Sequence, residues 1–582
     1  MKNAILCLVS WAVLQSLAFA QSASSPSASR NAVATGSRPA ASAPDDLHFP
    51  IPPLPADWDG GFFVPPPNVE PFPTRGLYAI WYTNTPEVLD LPFIKGGQVM
   101  EQWADIEPEE GKYDFSPIEN KLKDLDARNF YTTVQVNGNN KPAWLFKKVP
   151  YYPDLTNFSK QISDKQGALM YWHPAFEKAY FDFLKALAQY MRTSPYRSRI
   201  IGLRMNFNSI GTEMIDIPPE ARTAKGWIVP PGVEPGSFPW TPAVGEQYIQ
   251  KVVDENIKDF EGVTRIFIRS YVGPEVKEKY AADFASGKLS WFFTGMSHVV
   301  FKWRMAFPCL FLNCRSGQTI GYGEPGNDAW GRRTESKKPK EIPPVSVNYW
   351  RLLTDLHHGI SCIACYGADL QVAVNGKLPG PPNPIAEHPA TAPANGRFVD
   401  MGLKDEFYKS FAFAAKYAGY HASPTVAPGA WIALRQMSKT DDRHSTWDVI
   451  SNDCTFLMKR LPDKTEAVKA AGPPEQRFSA YARKLPKGET MKLALDPLFA
   501  RSLQGKKATI NLTYLDEGKG SIQLSGSGLN QSIDIKNTGR WQTASFDIPS
   551  ASFDEDKDSP DITLTAGKDA DVVLHMIEVT RG

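Results

Sequence analysis

Ile200 to Glu213, IIGLRMNFNSIGTE, is the segment from which the rest of the chain can be placed. It opens as an apolar run, as a strand buried on both faces does. It turns polar through Arg204, Asn206 and Asn208 and ends on Gly211-Thr212-Glu213, so a carboxylate follows the strand's carboxyl end. Gln318 to Glu324, QTIGYGE, has the same form: an apolar run closed by a glycine-flanked glutamate. A barrel of parallel strands builds its chemistry at that edge, on strand ends and the loops that leave them.

Outward from this segment, strand and helix alternate. RGLYAIWYT (75–83) reads as a first strand and Gly96 to Asn129 holds a second, followed by a helix that starts at Ser116-Pro117. FYTTVQVNG (130–138) is a third strand, and residues 172–192 carry apolar side chains at helical spacing before the fourth. Beyond a Pro- and Gly-rich insertion (216–240) come a helix at 243–261 and strands at 264–273, 288–296, 318–324 and 359–370. Helices at 347–358 and 404–418 flank the last strand. Eight strands alternating with helices predict parallel pairing, hence fold class α/β and a (β/α)8 barrel over residues 46–421. Pro-rich runs at 335–345 and 371–396 are expected as long loops on its catalytic rim. After a linker-like ASPTVAPG (422–429) the chain reads as short strands between Gly, Asn and Asp turns, which predicts an antiparallel β-sandwich over 430–582.

The amino terminus has the order basic, apolar, small: Lys2, then Ala4 to Phe19, then Ala18-Phe19-Ala20. That pattern predicts a signal peptide over 1–20 and a secreted or periplasmic product. Residues 21–45 are Ser-, Ala- and Pro-rich and read as a disordered tether; 46–75 is Pro- and aromatic-rich and is expected to lie extended over the barrel. No later run is long enough to span a membrane. Lys+Arg of 64 against Asp+Glu of 63 leaves no field for a polyanion, which argues against nucleic acid as a partner. Cys362 and Cys365 have CxxC spacing inside a strand, where residues three apart face opposite ways, so they are expected as two buried thiols. His173, His298, His357 and His358 show no paired ligand spacing, and there is no phosphate loop or G-x-S-x-G elbow. No metal and no cofactor are expected.

Two strand-end carboxylates are the equipment of glycosidic cleavage: one protonates the leaving oxygen, the other stabilises or attacks the anomeric carbon. Glu213 and Glu324 are therefore the candidate catalytic pair, and a carbohydrate is the expected substrate. Position adds candidates for sugar contact: Trp81 after strand 1, Trp103 after strand 2, Asn137 on strand 3, and Arg204, Asn206 and Asn208 on or after strand 4. Tyr271 on strand 5, with Tyr322 and Trp330 around strand 7, completes the set. A sugar site wants aromatic platforms beside amide and guanidinium donors. Asp369, at the end of strand 8, is a lesser candidate.

Gln102 to Phe115, QWADIEPEEGKYDF, resembles the stretch after strand 2 in clan A glycoside hydrolases, the β-galactosidases and cellulase-like and agarase-like barrels among them. The resemblance covers roughly residues 75–420. It implies a retaining double displacement with Glu213 as acid/base and Glu324 as nucleophile. That stretch itself is structural, setting the turn and the next helix. Where those families place Asn directly before the acid/base, this chain has Thr212. The later Asn511 to Gly518 and Gly539 to Thr543 resemble jelly-roll modules appended to polysaccharide-degrading enzymes. A β-linked glycan containing galactose is the first expectation for the substrate. Mannan, glucan or an algal galactan, or a non-catalytic carbohydrate-binding role, stay open, as does the oligomeric state.

Overall fold

Gly76–Ile80 (β1), GLYAI, is buried at every position, as a strand covered on both faces must be. Seven more strands follow in the computed structural model: β2 (Ile94–Gln102), β3 (Tyr131–Asn137), β4 (Ile200–Arg204), β5 (Ile266–Arg269), β6 (Leu289–Phe293), β7 (Tyr322–Gly323) and β8 (Cys362–Tyr366). Each pairs in parallel with the next, and β8 pairs with β1, so the sheet closes into a barrel. The structure describes residues 68, 70–153, 167–210, 215–269, 278–286, 288–293, 322–323, 344–357, 359–376, 403–435, 453–469, 471–479 and 481–582.

Helices cover the barrel's outside: α1 (Ser116–Ala127), α2 (Pro174–Thr193), α3 (Pro242–Phe260), α4 (Ala281–Ser286), α5 (Pro344–His357), α6 (Gly367–Asn375) and α7 (Leu403–Tyr417). α2 shows why such segments are helical. His173 caps it, its Nδ1 accepting from the Ala175 amide at 3.2 Å, and Pro174 takes the first position where no amide donor is needed. Its buried face, Phe176, Tyr180, Phe183, Leu187 and Met191, recurs every three or four residues. Between β1 and β2 the connection is two 3-10 turns rather than an α-helix. The expected eighth strand also ends early: Gly367 starts α6, which places Asp369 in a helical first turn instead of on a strand.

Inside and outside separate cleanly. Tyr78, Ile80, Ile201, Phe267, Phe292, Cys362 and Ala364 pack together within the barrel, and Phe72, just before β1, joins them. Leu77, Ala79, Ile363 and Cys365, the alternating neighbours on the same strands, belong to the core under the helices. The two thiols are thus free, buried and on opposite faces. Burial pushes the Cys362 thiol up to about 12 and Cys365 well up too, which removes the thiolate that redox chemistry or metal ligation would use.

Beyond Tyr417 the strands are antiparallel and form two sheets. The first holds β9 (Gly429–Ala433), β10 (Cys454–Phe456), β12 (Glu466–Lys469), β13 (Tyr481–Leu485), β15 (Ala508–Asp516), β18 (Arg540–Ile548) and β20 (Val572–Arg581). The second holds β11 (Met458–Arg460), β14 (Thr490–Leu495), β16 (Gly520–Gly526), β17 (Leu529–Ile535) and β19 (Ile562–Ala566). Leu512 and Ile577 of the first and Leu493 and Leu564 of the second lie in one core, which runs on into α5 and α7. There Trp431 stacks on Phe456 at 5.8 Å, and Tyr417 of α7 meets Phe456 at 5.2 Å. The expected linker is held fast: Arg581 donates to the carbonyls of Pro424, Thr425 and Ala427, and Ala422 and Ser423 are buried. Among the described residues no helix is long and apolar enough to cross a membrane.

Candidate active site

The carboxyl ends of β2, β3 and β4 carry their inward side chains at alternate positions, and all but Met100 of those positions are polar. Gln98 and Met100 come from β2, Gln135 and Asn137 from β3, and Asn206 follows β4. They join in one chain of contacts. The Gln98 amide donates to Gln135 Oε1, and Gln135 Nε2 donates to Asn206 Oδ1 at 3.2 Å. Asn206 Nδ2 donates to Asn137 Oδ1 at 2.8 Å and to the Val136 carbonyl at 2.9 Å. Asn137 Nδ2 meets the Met100 sulfur at 2.9 Å, and the Trp81 indole N–H reaches the same sulfur at 3.2 Å. The backbone of this region is fastened from behind, where the Tyr180 hydroxyl of α2 donates to the Asn206 carbonyl at 2.6 Å and Tyr248 of α3 donates to that of Phe207. Amides locked by one another lose little freedom on meeting a ligand, which is what a hydroxyl-binding site needs.

Trp81 extends this surface across the top of β1. Its φ of 55° is a left-handed value that few non-glycine residues adopt. The ring meets Tyr366 of β8 edge-on at 4.9 Å and 82° and stays half-buried. Arg204 lies lower, its guanidinium 3.9 Å above the centre of the Phe292 ring. Asn208 also has positive φ, 45°, and is buried; its Nδ2 reaches the Val136 carbonyl at 3.4 Å, while Oδ1 has no partner among the described residues. That carboxamide rests on Gly138, where an added Cβ would stand 2.7 Å from Oδ1. Lys141 sits beneath the same turn and donates to the Gly138 carbonyl at 2.8 Å. Burial brings the Lys141 ammonium down to about 7.

The structure therefore brings Trp81, Asn137, Arg204, Asn206 and Asn208 to one end of the barrel. It does not bring Trp103 there. That ring is fully buried against Phe176, Tyr180 and Phe183 of α2, because the chain turns outward into a single helical turn (Trp103–Ile106) as β2 ends. Its indole N–H donates to Glu107 Oε2 at 2.8 Å, and Glu107 Oε1 accepts from the Gly111 amide at 2.9 Å. Gly111 has φ of 70°, so the EPEEG turn is closed by a buried carboxylate and a left-handed glycine. Burial raises the Glu107 carboxyl, opposed by those two hydrogen bonds. Trp103 is thus a core residue that orients this turn.

Glu213, Glu324, Tyr271 and Trp330 lie outside the described residues, as does the side chain of Tyr322. β7 ends at Gly323, the residue before Glu324, and β4 with its continuation is described to Ile210. On the closed ring β4 and β7 are separated by β5 and β6. Sequence reasoning passed over Gln98, Met100, Gln135, Lys141 and Tyr366. Except for Lys141, they sit at alternate inward positions of strands already placed, so the two-residue period would have found them.

A family model described as Beta-galactosidase matches residues 99–200, the span from the middle of β2 to the start of β4. β-Galactosidase LacA of Lactobacillus acidophilus is 39% identical over 59 residues, which is 10% of this chain and 8% of that protein. LacZ of the same species matches equally. The chain thus spans under a tenth of the length of the curated relatives it matches. Among solved structures, the β-galactosidase from Rahnella sp. R3 aligns over 60% of this chain and 58% of its own, at 14% identity and a TM-score of 0.34. Xylanase XynB from Paenibacillus barcinonensis aligns over 51% and 84%, at 10% identity and a TM-score of 0.30. The family match falls on the segment that holds EPEEGKYDF, and the likeness of this chain to clan A glycoside hydrolases is shown by it.

Proposed function

We propose that this chain is a secreted glycoside hydrolase that cleaves β-glycosidic bonds with retention, a galactose-containing glycan being the first substrate to try. The observation that carries the reading is a coincidence of place. The β-galactosidase family match at residues 99–200 covers the strands that supply Met100, Gln135 and Asn137 to the amide chain. In this reading the barrel is a (β/α)8 scaffold and the two antiparallel sheets are a sandwich braced against it. Glu213 protonates the leaving oxygen while Glu324 attacks the anomeric carbon; Glu213 then takes a proton from the water that releases the sugar. Asn137 and Asn206 hold ring hydroxyls, and the Trp81 face carries the apolar side of a sugar ring.

The test is hydrolysis of aryl β-glycosides and of plant and algal glycans by the wild type, Glu213→Ala and Glu324→Ala. Loss of several orders of magnitude in both variants supports the assignment, and the panel names the sugar. Equal cleavage by wild type and both variants would remove the two glutamates from the mechanism. Binding without any cleavage would replace the enzyme with a carbohydrate-binding protein.

A further inference from the structure

The amino-terminal end of the barrel carries a feature the hydrolase reading does not use. A groove of about 370 Å³ runs between the start of β1 and β2 and the outer face of α7, with Phe93, Tyr408, Arg75, Lys95 and Lys416 in its lining. Phe93 and Tyr408 meet edge-on at 5.2 Å, and Tyr408 is 37% exposed, one of few large apolar side chains so open among the described residues. Around these rings the charge is basic. Arg75 is held over Tyr420 at 4.2 Å and bonds its hydroxyl, Lys416 shares Glu578, and Lys95 is exposed with no acidic partner among the described residues.

We propose that this groove seats the chain's own segment Phe49 to Asp59, FPIPPLPADWD. Prolines at 50, 52, 53 and 55 give two overlapping P-x-x-P patterns. Such a run is preformed as a polyproline II helix and docks on aromatic-lined grooves with little entropy left to lose. Asp57 and Asp59 follow it, and from Asp45 to Pro67 there are four aspartates and neither Lys nor Arg, the opposite sign to the groove. Place agrees with charge. Asn68 is fixed where its Oδ1 accepts from the Thr425 hydroxyl at 2.8 Å, Phe72 is buried in the barrel floor, and Arg75 and Gly76 are themselves groove wall. Pro55 is thirteen residues from Asn68, a reach of about 40 Å at roughly 3.1 Å per residue. The described chain that follows the segment runs into the groove wall at Arg75 and Gly76.

Chymotryptic digestion of the full chain, read by mass spectrometry for the cut after Trp58, tests this. The wild type is expected to be cut slowly at that site, at a rate independent of protein concentration. Lys95→Glu and Tyr408→Ala are expected to speed the cut severalfold at unchanged melting temperature. Combining Lys95→Glu with Asp57→Lys and Asp59→Lys should restore protection, and because Lys95 is exposed that arm does not depend on core packing. Equal rates in wild type and every variant would overturn the proposal. So would protection that grows with concentration, since the occupant would then come from a second copy.

Discussion

At the amino-terminal end of the barrel, Phe72, Tyr78, Ile201, Phe267 and Cys362 close the interior with apolar surface. At the carboxyl-terminal end β2, β3 and the chain leaving β4 present Met100, Gln135, Asn137 and Asn206, bonded side chain to side chain. Arg204 marks the change of character, its charge resting on the Phe292 ring between the two layers. Both sets belong to one closed barrel, and they differ in the character of their side chains. A floor of close-packed rings supplies stability and is indifferent to what it faces. A rim of mutually bonded amides costs desolvation and repays it only where something polar is to be held.

The largest expected effect belongs to the two proposed catalytic glutamates. Glu324→Ala or Glu213→Ala should lower kcat/KM by about a thousandfold or more while leaving the melting temperature within a few degrees. Phe267→Ala in the floor should do the reverse, costing about 3–5 kcal/mol of unfolding free energy in denaturant titrations with kcat of the folded fraction unchanged. If both substitutions hit activity and stability alike, the two ends are not functionally distinct. Asn206→Ala is the intermediate case. It removes bonds to Gln135, Asn137 and Val136, so about 1–3 kcal/mol of stability should go. KM and kcat should change as well, which a floor residue would not produce.

A buried polar site that belongs to neither end sharpens the contrast. His575 lies between α5 and the first antiparallel sheet, within bonding distance of the Tyr349 hydroxyl and the Tyr481 carbonyl, each at 3.1 Å. Burial pushes its imidazole down to about 3 from the ordinary 6.5. The folded state holds it neutral, so its contribution is fully present above 6.5 and is lost as pH falls toward 3. The loss is about 2 kcal/mol by pH 5. Thermal melts of wild type and His575→Gln across that window should converge as the pH drops, and parallel curves would contradict the assignment. The smallest expected effect is that of Trp103→Phe, which gives up the bond to Glu107: about 1 kcal/mol of stability and no change in KM. A raised KM would return that ring to the substrate surface.

The parallel barrel was legible because several strands are apolar runs, as in Ile200–Arg204, and the long helices show a 3.6-residue period, as in α2. Trp103 was misplaced because an aromatic after a strand looks the same in sequence whether the next turn carries it toward the axis or away from it. Only the Glu107–Gly111 turn, and the helix lying over it, settle the direction. That the linker is tied down was not legible, for a related reason. Pro, Ala and Gly signal a connection, and nothing local announces that Arg581, more than 150 residues later, will bond its carbonyls. Gln98 and Gln135 were passed over because a buried amide gains its meaning from the neighbouring strand, which one strand's sequence does not contain.

Azide rescue of Glu324→Ala tests the central claim most directly. With an aryl β-glycoside from the active panel, the account predicts that added azide restores turnover and gives the glycosyl azide of α configuration, from attack on the face the lost carboxylate used to occupy. Rescue of this variant with a product of β configuration, or no rescue while Glu324→Ala cleaves at the wild-type rate, would contradict a retaining mechanism built on that residue.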